Sequence, residues 1–331
     1  MDQTNVQSNA GREGLPLVSV VMPFYNHFGY INETLRSCME TIYSNLEIII
    51  VDDASGKLLT MEDLSEVPKK HPITIIRNSS NWGSGYSRNV GIRKARGEFI
   101  AFLDSDDIWF PEIVKKQMNV FLSDPQAAWV YTDGYYLIDE KRARKPNSAY
   151  HGFGKKGFPM GKEVNEYHLR GYNYMTFSSL MFKKSVLIDA GLFNEDINVS
   201  EDWDLFVRVA EKYPAHAINE PLMLYRVNNN GRHFVNRKSY VSVNTKILTD
   251  MYKRQGLFPS RIDDFNRAVA VIYQRAGIQR LNANKHDEAR HFLFDRKTRP
   301  LRFEFRMICL RILSVLPNMF YRAALWAYNI F

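Results

Sequence analysis

The stretch Glu98-Phe-Ile-Ala-Phe-Leu-Asp-Ser-Asp-Asp-Ile-Trp-Phe-Pro111 decides how the rest of the chain is read. Residues 99–103 are an apolar run of buried-strand length, and the run ends in Asp104, Asp106 and Asp107. A core strand of this kind delivers three carboxylates to its C-terminal tip. Like charges so close repel unless a cation or a positive partner sits among them. Asp104 and Asp106 alternate, so both could reach a hard divalent ion, directly or through its water. A second reading is a polar turn capping a helix that starts near Pro111, because Asp is a favoured cap and Pro a favoured first residue.

Upstream, residues 17–22 (Leu-Val-Ser-Val-Val-Met) lie between Pro16 and Pro23 and read as a buried parallel strand. A helix is expected over 32–43, with Ile31, Leu35, Cys38, Met39 and Ile42 as its apolar stripe. A second strand over 46–51 ends in Asp52-Asp53. A weak helix over 58–70, a strand over 73–77 and a helix over 85–95 lead to the strand at 99–103. Such alternation predicts an α/β domain with a mainly parallel sheet. Right-handed crossovers collect the strand C-termini on one edge, where open sheets bind ligands. Tyr25, Asp53 and the Asp104–Asp107 cluster should therefore converge in one crevice.

Downstream, a helix over 112–122 and a strand over 127–132 are expected. Residues 139–160, rich in Lys, Arg, Gly and Pro, read as a mobile loop over the crevice. A strand over 175–182 and a short helix over 184–190, capped by Gly191, follow. Ser200-Glu201-Asp202-Trp203-Asp204-Leu205 then opens a helix, with Ser200 as N-cap and the acids in the first turn, where the dipole favours negative charge. Capping accounts for the acids as isolated residues. If the helix start faces the crevice, one of them can serve as a general base.

Composition limits the function classes. A chain of 331 residues with 45% hydrophobic side chains is an ordinary globular protein. Its net charge of +8 suits nucleic acid, an anionic membrane surface or a phosphorylated ligand. No nucleic-acid-binding motif is recognisable, so no nucleic-acid partner is expected. Cys38 and Cys309, the two cysteines, read as reduced core residues, which excludes a disulfide scaffold. Residues 1–16 are polar and lack the features of a secretory signal; a disordered leader and cytoplasmic residence are expected. No apolar stretch reaches the roughly 18 residues of a membrane span.

Five words in order resemble the inverting nucleotide-sugar glycosyltransferases of family 2, which adopt the GT-A fold: a Rossmann-like, mixed, mainly parallel sheet flanked by helices. They are Val18-Ser-Val-Val-Met-Pro-Phe-Tyr-Asn26, Glu47-Ile-Ile-Ile-Val-Asp-Asp-Ala-Ser55, Ser87-Arg-Asn-Val-Gly-Ile92, Gly97-Glu-Phe-Ile-Ala-Phe-Leu-Asp-Ser-Asp-Asp107, and Phe193-Asn-Glu with Ser200-Glu-Asp-Trp-Asp204. Any one alone is weak. The resemblance implies that Tyr25 stacks on the nucleotide base with Pro23 shaping its loop, that Asp53 accepts a base N–H, and that Arg88 approaches the diphosphate. It implies that Asp106 holds Mg or Mn, with Asp104 on the ribose or a metal water, and that Asp202 is the catalytic base, with Glu201 and Asp204 as nearby alternatives. Asp107 is then left as the helix cap.

The implied reaction moves a single sugar from a nucleoside-diphosphate sugar, a UDP-sugar in the first instance, to a hydroxyl of a glycan or lipid-linked acceptor in surface polysaccharide or glycan biosynthesis. Two departures from the family pattern stand out. Tyr225-Arg226-Val227 is followed by Asn228 where a histidine is common, and the Gln-x-x-Arg-Trp word of processive polymerases is missing. Two alternatives are a nucleotidyltransferase, which leaves pyrophosphate, and a non-catalytic sugar-nucleotide or glycan-binding protein. The acidic pair Glu201-Asp202 argues against the latter, since binding needs no base.

The resemblance covers the glycosyltransferase domain, 17–235. Residues 236–299 read as a helical extension, with helices over 240–254, 261–282 and 286–294. In 300–331, Arg302, Arg306, Arg311 and Arg322 interrupt an apolar run that Pro317 breaks in two. Such an amphipathic pair suits a membrane interface, where Arg snorkels toward head groups, or a contact with a second subunit in a homo-oligomer. The first option implies peripheral attachment to the inner face of the membrane.

Overall fold

Val18–Phe24 (β1) is buried along its length except at Pro23, as the run of Val and Met between two prolines requires. It pairs in parallel with Leu46–Asp52 (β2) and with Phe99–Phe102 (β4), and β2 pairs in parallel with Ile73–Arg77 (β3). The sheet then turns mixed. Leu180–Lys183 (β8) runs antiparallel beside β4, and Trp129–Ile138 (β6) antiparallel beside β8. Ala215–Val227 (β9) is parallel to β6, and the two-residue Ile108–Trp109 (β5) closes the row against β9. Parallel pairings account for most of the paired residues.

This computed structural model describes residues 14–282 apart from 139, 151–152, 154–156 and 228–236, together with residue 289. Most of the expected leader, the third C-terminal helix apart from residue 289, Cys309 and the amphipathic pair at 300–331 lie outside the described residues. Among the described residues, no helix is long and apolar enough to cross a membrane.

Helices cover the sheet. Ile31–Met39 (α1) buries Leu35, Cys38 and Met39 in one core with Val20, Ile48 and Ile50, and each such fully buried side chain contributes roughly 1.5–3 kcal/mol. Burial pushes the Cys38 thiol up to about 12, so it behaves as a small apolar core group. Ser84–Lys94 (α2) lies so close to β1 that a Cβ at Gly91 would sit 2.4 Å from a Val21 methyl; glycine permits the contact. Ile113–Ser123 (α3) and Lys184–Asp189 (α6) follow β5 and β8, and Glu201–Lys212 (α7) precedes β9.

Several expectations change. Residues 58–70 form no helix: Leu59, Leu64 and Val67 are buried, but the backbone makes i→i+3 bonds from Leu64 to Met61, Ser65 to Glu62 and Val67 to Leu64. Pro68 then disfavours a helical conformation at residue 67. Within 139–160 there is a strand, Lys141–Pro146 (β7), and a turn of helix, Asn147–Tyr150 (α4). Pairing with β6 (Leu137 with Arg142, Ile138 with Lys141) makes the strand, and local propensity does not announce it. The strand expected over 175–182 begins only at Leu180, after a 3-10 turn at Phe177–Ser179. β5 and β9 have no counterpart among the expected elements.

The chain divides into two compact units, one of residues up to Val164 with Tyr174–Asn229, the other of Asn165–Asn173 with the residues from Asn230 onward. Glu163–Leu169 (α5) crosses the division. In the second unit, Arg237–Arg254 (α8) and Ile262–Asn282 (α9) correspond to two expected helices. Tyr252, Phe258 and Phe265 cluster with ring centroids 5.0–5.4 Å apart, and the Tyr252 hydroxyl donates to the Leu169 carbonyl (3.0 Å). His168 is buried in the same unit, its Nδ1 3.0 Å from the Tyr172 carbonyl. Burial, with Arg275 nearby, holds its imidazole down to about 4.

Because the folded state resists protonating His168 while the unfolded chain protonates near 6.5, stability is full above pH 6.5 and falls as pH drops toward 4. The loss should reach roughly 3 kcal/mol. Thermal melts between pH 7 and pH 4 should show this destabilisation, and His168→Gln should flatten it.

Candidate active site

The acidic cluster leaves β4 at Leu103, whose amide donates to the Val21 carbonyl (3.2 Å). Ser178, in the 3-10 turn before β8, braces the cluster. Its hydroxyl oxygen accepts the Asp104 amide (2.9 Å) and its O–H donates to Asp107 (2.5 Å). The Trp109 indole holds the Ser178 carbonyl (2.7 Å). Asp107 is 1% exposed and also accepts the Arg226 amide (2.9 Å). It does not cap a helix: Glu112 occupies the N-cap position of α3. Burial and the charges of Asp106 and Asp104 push Asp107 well above the usual carboxylate range, and burial and Asp104 raise Asp106. The same acids, with burial, hold the Tyr225 phenol well above its ordinary value.

Arg88 joins this cluster to the second acidic one. Its side chain is 5% exposed; Nη2 donates to Asp104 (2.7 Å) and Nη1 to Glu201 (3.3 Å). The guanidinium face lies 4.1 Å from the Phe177 ring centroid. Glu201 also accepts the Ser84 hydroxyl. Arg88 is therefore a buried bridge between the strand tip and the start of α7.

Asp53 is engaged by donors of the protein itself. It is 3% exposed and accepts Asn78 Nδ2 (2.8 Å) and the amides of Trp82 (3.0 Å) and Gly83 (2.8 Å). Gly83, at φ +94°, takes a backbone conformation that other residues adopt only with strain, and so lets both amides reach the carboxylate. Three of its roughly four acceptor directions are engaged. Asp53 thus fixes the loop that leads into α2. Tyr25 is half-buried at the end of β1, and Pro23 is in register with Val51. Asn26 ties this loop to the one after β2, its Oδ1 accepting the Gly56 amide and its amide donating to Ser55 Oγ (both 2.9 Å). The structure therefore brings Pro23, Tyr25 and Asp53 together.

At α7, Ser200 has φ +56° and makes no side-chain capping bond, so the expected N-cap is a left-handed entry residue. Asp204 pairs with Arg208 (2.6 Å), which also donates to the Leu192 carbonyl (2.8 Å). That contact accounts for Asp204 structurally, as Ser84 and Arg88 account for Glu201. Asp202 is half-buried in the first turn, close enough for its charge to act on Arg88.

Two further residues meet the cluster: His27, which the sequence reading did not single out, and Arg226, which it named only within the word Tyr225-Arg226-Val227. His27 Nδ1 lies 2.9 Å from Ser105 Oγ and so links the loop after β1 to the acidic cluster. Arg226 holds the same cluster from β9. A single histidine in a loop and an arginine in an unrecognised strand carry no periodic signal. Asn228, the departure noted after Arg226, lies outside the described residues.

Among the described residues no group of three or more His, Cys, Asp or Glu side chains is arranged to hold a metal by itself. Asp104 and Asp106 offer two hard oxygen donors that repel each other. Mg and Mn sites of the phosphate-binding kind use one or two carboxylates and take the remaining ligands from substrate and water, and this pair fits that pattern.

The geometry makes a stability prediction. Arg88→Met would leave the half-buried Asp104 and Glu201 without their shared cation, and breaking a buried pair costs about 3–5 kcal/mol. Urea unfolding of the variant should show a loss in that range.

Comparison with known proteins agrees with this architecture. The family model described as glycosyl transferase family 2 matches residues 19–189. An uncharacterized glycosyltransferase from Rickettsia felis is 30% identical over 61% of this chain and 32% of its own length, so this chain spans about a third of that relative. The TarS 1–349 structure from S. aureus, in complex with UDP-GlcNAc, superposes with a TM-score of 0.56 at 17% identity, covering 84% of this chain and 90% of that one. The mannosyltransferase PcManGT from Pyrobaculum calidifontis, in complex with GDP-Man and Mn2+, does so with 0.56 at 16% identity, covering 96% and 87%. At these identities the structural likeness is one of fold.

Proposed function

This chain belongs to glycosyl transferase family 2, and from that premise we propose that it moves one sugar from a nucleoside-diphosphate sugar to a glycan hydroxyl, with inversion and with help from a divalent cation. The observation that carries this reading is the Arg88 bridge, which ties the metal-type acids at the end of β4 to the acidic start of α7 through one buried side chain. A displacement needs charge relief for the leaving group and a base for the nucleophile, and the bridge joins the two sets of residues that supply them. The complexes of TarS with UDP-GlcNAc and of PcManGT with GDP-Man and Mn2+ support the donor class and the cation.

In this reading Asp106 and Asp104 hold Mg or Mn. The cation offsets charge on the leaving nucleoside diphosphate. Tyr25 stacks on the base with Pro23 shaping its loop, while Asp53 keeps the neighbouring loop in place. Asp202 takes the proton of the acceptor hydroxyl as that oxygen attacks the anomeric carbon. One displacement inverts that carbon. The missing Gln-x-x-Arg-Trp word supports single transfer over processive synthesis.

Asp202→Asn should lower transfer by about 100-fold or more, the usual scale for losing a general base, while UDP binding measured by calorimetry stays within twofold. Retained transfer would place the base elsewhere. Release of nucleoside diphosphate from a panel of nucleotide sugars with Mn2+ identifies the donor, whereas release of pyrophosphate would favour a nucleotidyltransferase.

The cation should also leave a thermodynamic trace. Burial and the neighbouring Asp104 raise Asp106, so charging it costs the fold progressively as pH rises, and a cation binds only the charged form. Mn2+ with UDP should therefore raise the melting temperature more at pH 7.5 than at pH 5. An equal shift at both would argue against Asp106 as a ligand.

A further inference from the structure

Arg226 sits in β9 with its side chain 2% exposed. Nε donates to the main-chain carbonyl of Asp106 (2.8 Å), Nη2 to Glu33 on α1 (2.5 Å), and Nη1 to Glu140 in the turn between β6 and β7. Its guanidinium lies over the Tyr30 ring, 4.7 Å from the centroid. Its own amide holds Asp107 (2.9 Å). A guanidinium presents its donors in a rigid planar fork. Here three arms of that fork reach three separate segments, so the Asp106 peptide is fixed relative to α1 and to the β6–β7 turn.

Stability alone is a poor explanation for this arrangement. Glu33 and Glu140 are 54% and 67% exposed, and ion pairs to solvated carboxylates contribute little. The inner end of the fork, by contrast, meets the loop that carries mutually repelling acids. Such a loop needs support from outside if its carboxylates are to stand ready before a cation arrives.

We propose that Arg226 is the positioning residue of the acidic loop, holding the Asp106 peptide so that the Asp106 carboxylate is set for a divalent cation, with Glu33 and Glu140 as its outer anchors. This rests on the reading of Asp104 and Asp106 as cation ligands. Arg226 acts through Asp106 and Asp107 and is not itself a ligand.

The test is equilibrium Mn2+ binding to the full chain, read from the electron paramagnetic resonance of free Mn2+ in saturating UDP. Arg226→Lys keeps the charge and loses the fork; it should weaken Mn2+ binding about tenfold or more, the scale seen when outer-shell partners of metal ligands are removed. Glu140→Gln changes one exposed anchor and leaves the fold intact. It should weaken binding by a smaller, measurable factor, with UDP affinity in the absence of Mn2+ unchanged in both variants. Wild-type Mn2+ affinity in both variants, whatever happens to the melting temperature, would reduce Arg226 to a structural ion pair and overturn the proposal. If Arg226→Lys does not fold, Glu140→Gln decides alone. Failure of the wild-type protein to bind Mn2+ with UDP would overturn the cation reading itself, and the role of Arg226 with it.

Discussion

Three carboxylates within four residues at the end of β4 repel one another, and much of the neighbouring structure is arranged around that repulsion. Burial makes the problem worse, since a charge with little water around it is less well solvated. The protein answers from three sides. Ser178 accepts the Asp104 amide and donates to Asp107, Arg88 neutralises Asp104, and Arg226 grips the Asp106 carbonyl and the Asp107 carboxylate. These three residues come from the turn before β8, from α2 and from β9. The sheet order that places β8 between β4 and β6 is what brings that turn to the cluster.

The acids of the site fall into two groups once their partners are known. Asp53, Asp107 and Asp204 are engaged in building loops and helix ends through the donors described above, and Asp52 through the Ser55 amide and Arg77. Asp104, which pairs with Arg88, and Asp106 and Asp202 are the residues of the proposed chemistry. Arg88 ties Asp104 to the start of α7, because its second arm lies on Glu201 beside Asp202. A cation and a base on separate elements can serve one displacement only if those elements are held in register, and a buried guanidinium clasped by two carboxylates is a stiff connector.

The parallel half of the sheet was legible in the residues. β1, β2 and β4 are runs of Val, Ile and Phe, and buried parallel strands need little else. α1 followed from its apolar spacing and α7 from the acids in its first turn. The family words singled out the strand-end acids and the start of α7 as the candidate site. What stayed hidden depends on pairing: β5 is two residues long, β7 reads Lys-Arg-Ala-Arg-Lys-Pro, and β9 carries Pro221. None of them has a strand's alternation, and each exists because another strand offers it a ladder. The segment 58–70 failed for the opposite reason, its apolar residues having a helix's spacing while Pro68 and the turn at Asp63 impose a tighter path.

By itself the sequence determined which elements would be buried, that their C-terminal ends would carry acids, and which family the chain resembles, because burial and charge clustering are properties of residue order. Only the tertiary structure decided which donors each acid meets. The reason is that a carboxylate's role depends on the donors around it, and those donors arrive from segments remote in the chain: Asn78 and Gly83 for Asp53, Ser178 and Arg226 for Asp107, Arg88 for Asp104. Asp53 and Asp104 look alike as acids at the ends of strands. They differ in what the fold has placed beside them.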